Sequence, residues 1–142
     1  MNRQLSEKVL EKNGQMAVAC VDLKKAYDKV CREKLWCVLD EYGVKGNLMK
    51  AIQSLYAGSQ ACVRVGGRLS EWFPISQGVR QGCVLSPWLF NVFMDRIMRE
   101  VKVRLQGGVQ LTATTVQVLP FADDVVVCTG KKEDMERNLA EM

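Results

Sequence analysis

The chain has 142 residues, the length of one domain or of a piece of a larger one. It carries 20 Lys and Arg against 16 Asp and Glu, for a net charge of +4, and 48% of its residues are hydrophobic. That composition excludes a disordered chain, and the charge permits an acidic partner such as nucleic acid without demanding one. There is no histidine, so Ser-His-Asp and Cys-His catalysis, histidine general bases and His-containing zinc sites are excluded.

Any catalysis must therefore rest on carboxylates, lysines, cysteines or backbone groups. No apolar run approaches the roughly 18 residues of a membrane span, and the first residues, Met1 to Lys8, lack the apolar core of a signal peptide. The six cysteines, Cys20, Cys31, Cys37, Cys62, Cys83 and Cys128, are scattered with no C-x-x-C pair. They read as reduced structural thiols in an intracellular protein, with Cys20, Cys62 and Cys128 acting as small hydrophobes in β-like runs.

In chain order, residues 1–14 read as a short polar helix ending at Gly14. Ala17 to Val21 is a continuous apolar run, which predicts a strand buried on both faces. From Glu33 to Tyr42 the apolar residues Leu35, Val38, Leu39 and Tyr42 form a helical stripe stopped by Gly43. A second helix is predicted over Asn47 to Tyr56, with Leu48, Ile52 and Leu55 on one face. Ala61 to Val65, then Gly66-Gly67, then Arg68 to Ile75 read as a β-hairpin with a two-glycine turn.

The loop Ser76-Gln77-Gly78-Val79-Arg80-Gln81-Gly82 leads to Ser86-Pro87, a predicted N-cap followed by proline at the first helical position. The helix runs to about Leu105 with Leu89, Phe93, Ile97, Val101 and Leu105 on one stripe, and Gly107-Gly108 ends it. Val116 to Pro120 and Val125 to Thr129 are two short strands flanking Phe121-Ala122-Asp123-Asp124. A charged helix begins near Lys132 and stops in mid-pattern at Met142, as if inside a fold. Helices interleaved with hairpin-like strand pairs predict an α+β architecture with an antiparallel sheet.

Three features carry chemistry. Asp123 and Asp124 are turn formers on one reading. On the other, the apolar strands around them leave little room for solvent, and two like charges held near a core call for a compensating cation. Magnesium, which takes hard carboxylate oxygens, meets that need. Asp22 directly follows the run Ala17 to Val21. It is either a solvent-facing strand end or, if its strand lies beside the Asp123-Asp124 hairpin, a third carboxylate of one cluster. Three carboxylates can hold two magnesium ions about 3.5–4 Å apart, an arrangement that activates a 3′-hydroxyl and needs no histidine.

The loop Gln77 to Gly82 is a connection on one reading. On the other, its glycines allow close backbone approach to a ligand, Arg80 pairs with a phosphate, and Gln81 meets a base or sugar edge. Tyr27, five residues after Asp22, reads as core or as site.

Together, Val21-Asp22-Leu23-Lys24-Lys25-Ala26-Tyr27-Asp28, Gly78-Val79-Arg80-Gln81-Gly82-Cys83-Val84-Leu85-Ser86-Pro87 and Phe121-Ala122-Asp123-Asp124 resemble, in order and separation, the three palm motifs of reverse transcriptases. The resemblance is to those of non-LTR (LINE-type) retrotransposons, and it covers nearly the whole chain. It implies a partial reverse transcriptase domain over residues 1–142, with motifs near 17–28, 76–90 and 118–128. The implied fold is a polymerase palm, an antiparallel sheet with helices packed on one face, truncated so that fingers and thumb are largely missing.

By the same resemblance, Asp22, Asp123 and Asp124 form the catalytic, metal-binding triad, joined by the Leu23 backbone carbonyl. They would hold two Mg2+ ions, with Mn2+ able to substitute. Tyr27 falls on the steric-gate position that favours deoxynucleotides, and Arg80, Gln81 and Gly82 match the loop packed against nucleotide and template. Asp28 also matches the first motif and reads as structural.

The implied partners are an RNA template, a DNA primer, a deoxynucleoside triphosphate and the fingers and thumb of a parent polyprotein, with no membrane. Only 21 residues precede Asp22, so the basic residues that fingers supply are expected to be absent, and little autonomous polymerase activity is expected. Two other readings stand beside this one. One is an inactive remnant or co-opted module binding nucleic acid or protein; the other is an RNA-dependent RNA polymerase, against which Tyr27 argues. The site of action would be nucleus or cytoplasm, with no localisation signal visible.

Overall fold

Valine-rich segments adopt strands because β-branched side chains pack well on a pleated surface, and three such segments here make one antiparallel sheet. In the computed structural model, which describes residues 7, 9, 11, 15–111 and 114–141, this sheet consists of β1 (Ala17–Asp22), β9 (Asp124–Thr129) and β8 (Val118–Phe121), in the order β1-β9-β8. The predicted helix over 1–14 lies mostly outside the described residues, of which Glu7, Val9 and Glu11 are helical. The chain divides into two units, Met1–Lys24 with Asp95–Met142, and Lys25–Met94.

In the first unit β9 is the central strand. Val125 and Val127 are buried on one face, and Cys128 is buried on the other in a cluster with Val9 and Val109, against which Met16, Val116, Leu119 and Val126 pack. A fully buried valine contributes about 1.5–3 kcal/mol. The expectation that Ala17 to Val21 is buried on both faces is corrected. β1 stands at the end of the three-strand order, and its residues alternate between half-buried and exposed, with Val18 45% exposed and Cys20 open to solvent. The strand with neighbours on both sides is β9, whose valines read no differently from β1 in sequence.

A second antiparallel pair joins β6 (Val109–Leu111) to β7 (Thr114–Val116). The helix α4 (Lys132–Glu141) begins where predicted, is in contact with β1 and β9, and buries Met135. Its buried Asn138 accepts the Gln106 backbone N–H at 2.8 Å and donates to the Gln106 carbonyl at 3.0 Å.

The second unit contains α1 (Arg32–Glu41) and α2 (Gly46–Tyr56), which touch each other. Gly43, at φ 85°, ends α1 as predicted, and the Val44 N–H closes back on the Leu39 carbonyl at 2.9 Å. In α2 the buried face is Ile52 and Tyr56, while Leu48 and Leu55 are 59% and 44% exposed, so the predicted stripe is displaced. Tyr56 fills the place assigned to Leu55 because its ring packs near Trp36, with centroids 5.7 Å apart.

The predicted hairpin forms in two steps: β3 (Arg64–Val65) pairs with β4 (Arg68–Leu69) across Gly66-Gly67, and β2 (Gln60–Ala61) pairs with β5 (Phe73–Pro74). Both turn glycines have positive φ, which suits the right-handed twist of the flanking strands. The long helix α3 (Ser86–Arg104) starts one residue earlier than expected. Ser86 is therefore inside the helix instead of capping it, buried, with its hydroxyl 3.4 Å from that of Tyr56. The most buried side chains of α3 are Leu89, Phe90, Met94 and Met98, while the predicted Phe93, Ile97 and Val101 are half-buried. The two rows lie side by side on the helix, and the sequence period alone does not separate them.

Candidate active site

The antiparallel register of β1 and β9 determines where the carboxylates fall. Val21 pairs with Val125 and Asp22 with Asp124, so two carboxylates stand directly across from each other at one end of the sheet. Directly paired residues share a face, and this is the face that carries Val126 and Cys128 further along. Phe121 pairs with Asp124 and leaves Ala122-Asp123 as a two-residue hairpin turn. Ala122 sits at φ 53°, a left-handed conformation that glycine would adopt more easily, so the turn holds Asp123 next to the paired carboxylates at some conformational cost.

Asp22 and Asp124 are exposed, Asp123 is partly buried, and Phe121 is 81% exposed. This corrects the expectation that the flanking apolar strands shut out solvent; the valines bury their side chains toward the sheet interior while the turn projects beyond it. Cross-strand pairing thus brings Asp22 to Asp124, and the turn adds Asp123. Among the described residues, no three His, Cys, Asp or Glu side chains stand close enough together to hold a metal ion as they are. The donor set is nevertheless all hard oxygen, the chemistry that suits magnesium or manganese. Leu23, half-buried, follows Asp22 directly.

The second unit holds the other predicted residues. After β1 the chain makes a single 3-10 turn at Tyr27–Lys29. The Tyr27 ring stacks on Phe90 with centroids 4.4 Å apart and planes 16° from parallel, which fixes its orientation. The Gln77 to Gly82 loop docks on this turn. The Val79 N–H donates to the Tyr27 carbonyl at 2.9 Å and the Gly78 N–H to the Val30 carbonyl at 2.8 Å.

The approach is so close that a Cβ on Gly78 would lie 2.8 Å from the Asp28 carbonyl oxygen, and Gly78 also has φ 84°. Glycine is required here on both counts. The Gln81 side-chain amide donates to Asp28 Oδ1 at 2.9 Å. Arg80 reaches the Ser59 hydroxyl at 3.3 Å and lies over the Tyr56 ring at 5.8 Å, and Gly82 turns the chain at φ 79°. A cavity of about 490 Å³ opens beside the loop, lined by Asp28, Arg32, Ser59, Gln77, Arg80 and Gln81 among others.

Arg32 and Tyr56 were not legible as parts of this site. Arg32 stands one residue before the helix predicted from Glu33, and its guanidinium donates to carbonyls 24 to 46 residues away in sequence. No local spacing signals such a contact. All six cysteines are free thiols, and only Cys128 is buried; Cys20 is exposed, which corrects its reading as a core residue.

A model of the reverse transcriptase (RNA-dependent DNA polymerase) family matches residues 2–142. The chain is 32% identical over 110 residues to the retrovirus-related Pol polyprotein from type-2 retrotransposable element R2DM of Drosophila melanogaster, covering 78% of this chain and 10% of that protein. It is 28% identical over 123 residues to a Pol polyprotein from type-1 retrotransposable element R2 of Popillia japonica, covering 87% of this chain and 20% of that one.

Among solved structures, apo telomerase from Candida tropicalis, truncated from its C-terminal domain, superposes with a TM-score of 0.70 at 16% identity, covering 98% of this chain and 29% of the other. Candida albicans telomerase in complex with a fragment of telomeric RNA gives 0.69 at 12% identity, with 98% and 27% covered. The chain spans between 10% and 20% of the length of these two curated relatives. The telomerase likeness establishes the fold, and the match over residues 2–142 the family: this chain belongs to the reverse transcriptases, of the non-LTR retrotransposon type.

Proposed function

We propose that this chain is the palm portion of an RNA-directed DNA polymerase, which extends a DNA primer by deoxynucleotides along an RNA template as part of a retrotransposon polyprotein. The observation that carries the reading is the β1–β9 register, which sets Asp22 across from Asp124 with Asp123 in the adjoining turn. These three carboxylates and the Leu23 carbonyl are the residues that would hold two Mg2+ ions, or Mn2+ in their place. Such ions, when bound, supply the charge that activates a primer 3′-hydroxyl and stabilises the pyrophosphate leaving group.

The remaining work falls to this chain's own side chains. Tyr27, held flat on Phe90, presents a fixed ring that crowds a ribose 2′-hydroxyl and so selects deoxynucleotides. Arg80, Gln81 and Gly82 lie on a loop docked on the end of the first motif and the residues just after it, from which they meet template and nucleotide.

The test is thermal stability against added magnesium or manganese. At a free ion concentration tenfold above its dissociation constant, binding should stabilise the chain by about 1.4 kcal/mol, and Asp123→Asn should abolish the shift. No shift in the unsubstituted chain would remove the carboxylate site. In a longer protein carrying fingers and thumb, Tyr27→Ala should raise ribonucleotide incorporation, and unchanged sugar selection would remove the gate.

A second reading, a non-catalytic module that binds nucleic acid, is favoured by one observation: the three carboxylates do not close into a metal-holding group as they stand. It predicts salt-dependent nucleic-acid affinity that is indifferent to Asp22→Asn.

A further inference from the structure

Arg32 lies at the start of α1, outside the residues to which a role in nucleotide or template contact is given above. Its guanidinium nevertheless gathers four backbone carbonyls from two distant segments. Nε donates to Gly78 O at 2.9 Å; Nη1 donates to Ile75 O at 2.9 Å and Tyr56 O at 3.3 Å; Nη2 donates to Gln77 O at 3.3 Å. Its plane lies over the Tyr56 ring at 5.0 Å, the same ring that carries Arg80 at 5.8 Å.

Three of those carbonyls, Ile75, Gln77 and Gly78, belong to the stretch between β5 and the Arg80–Gly82 turn. A loop whose carbonyls are not spent in a sheet needs donors from elsewhere, and one planar, permanently charged fork supplies them from a single point. On its other edge the same loop bonds Val30 and Tyr27 through Gly78 and Val79. Segment 27–32 thus grips the loop by its N–H groups with backbone and by its carbonyls with Arg32.

We infer that Arg32 is a positioning residue: by clamping the carbonyls of Ile75, Gln77 and Gly78 it sets the loop so that Arg80, Gln81 and Gly82 engage template–primer nucleic acid. This rests on the polymerase reading given above. Its donors are turned onto carbonyls, so Arg32 acts through the loop and not as a phosphate contact of its own. Burial lowers the Arg32 guanidinium from its ordinary value, with Tyr56 acting against that shift and the neighbouring Arg80 adding to it.

The distinguishing substitution is Arg32→Lys, which keeps the charge but replaces a planar fork by one compact ammonium that does not span four carbonyls. Two quantities are read on the 142-residue chain: amide hydrogen exchange at Gly78 and Val79, and affinity for an RNA-template/DNA-primer duplex by fluorescence anisotropy. Arg32→Lys and Arg32→Gln should each speed exchange at both amides and weaken the duplex by on the order of tenfold. With Arg80→Gln already in place, Arg32→Gln should weaken it little further, because the contact being positioned is gone.

Unchanged exchange in Arg32→Lys overturns the clamp. Wild-type affinity restored by lysine, or losses that simply add with Arg80→Gln, shows a direct charge contact and overturns the positioning role. A 142-residue chain that does not bind the duplex at all overturns the loop's engagement of nucleic acid inferred here, while the polymerase reading stands or falls on the metal-dependent stability shift and the exchange rates still report on the clamp by themselves.

Discussion

Two glycines of the same loop share a backbone conformation and differ in what surrounds them, which isolates the effect of close approach. Gly78 has φ 84° and Gly82 φ 79°. A Cβ at Gly82 meets nothing within 4 Å, whereas at Gly78 it meets the Asp28 carbonyl oxygen at 2.8 Å and the Asp28 Cα at 3.0 Å. For Gly82→Ala, a left-handed penalty of about 1–2 kcal/mol is partly offset by a stiffer unfolded chain, leaving about 1 kcal/mol.

Gly78→Ala carries the same penalty and must also push segment 78–79 away from segment 27–30. That loosens the 2.8 and 2.9 Å hydrogen bonds to Val30 and Tyr27. At about 0.5–1.5 kcal/mol for each bond, the total loss is about 2–4 kcal/mol. Urea denaturation of the two variants beside the unsubstituted chain measures both. If Gly78→Ala and Gly82→Ala agree to within about 0.5 kcal/mol, the backbone approach contributes nothing and the docked loop is not the folded arrangement.

At the carboxylate turn, Ala122→Gly should leave stability unchanged or raise it by up to about 1 kcal/mol, and Ala122→Val should lower it by about 1–2 kcal/mol, read as shifts in urea midpoint; the reverse order would contradict the positive φ of Ala122. Without divalent ions and at low salt, Asp22→Asn should stabilise the chain by a few tenths of a kcal/mol by removing one of two like charges paired across strands, and a loss of stability would speak against the β1–β9 register.

Thiol labelling at pH 7 should modify Cys83 faster than Cys20 or Cys37, because hydrogen bonding to the Leu85 backbone, and secondarily to Ser86, lowers its thiol below the ordinary value. Equal rates in the folded chain would count against that geometry. Cys128, buried and with its thiol raised by burial, should label only on unfolding. Its folded value lies above its unfolded one, so its contribution to stability is complete below the unfolded thiol's value and is lost as pH rises through the folded one. Urea midpoints of the chain and of Cys128→Ala across the alkaline range test that sign.

What the sequence determined by itself is local. Gly43 ends a helix and Gly66-Gly67 turns a hairpin, because these depend on the φ that a few neighbouring residues tolerate. The three motifs, in order, also identified the family that the match over residues 2–142 establishes. What the tertiary structure decided is everything that depends on which segments become neighbours. Two apolar runs of similar character became an end strand and a central strand once β9 took the middle of the sheet.

The helical stripes of α2 and α3 were read correctly at Ile52, Leu89 and Leu105 and displaced at the positions between and beside them, because a period near 3.6 defines a band of rows and only packing selects the buried one. Asp22 and Asp124 met through register, and Arg32 found its four carbonyls across as many as 46 residues of chain. Local conformation follows from the energies of adjacent atoms and is written in the sequence; partner choice follows from the chain as a whole closing on itself, and only the folded structure reveals it.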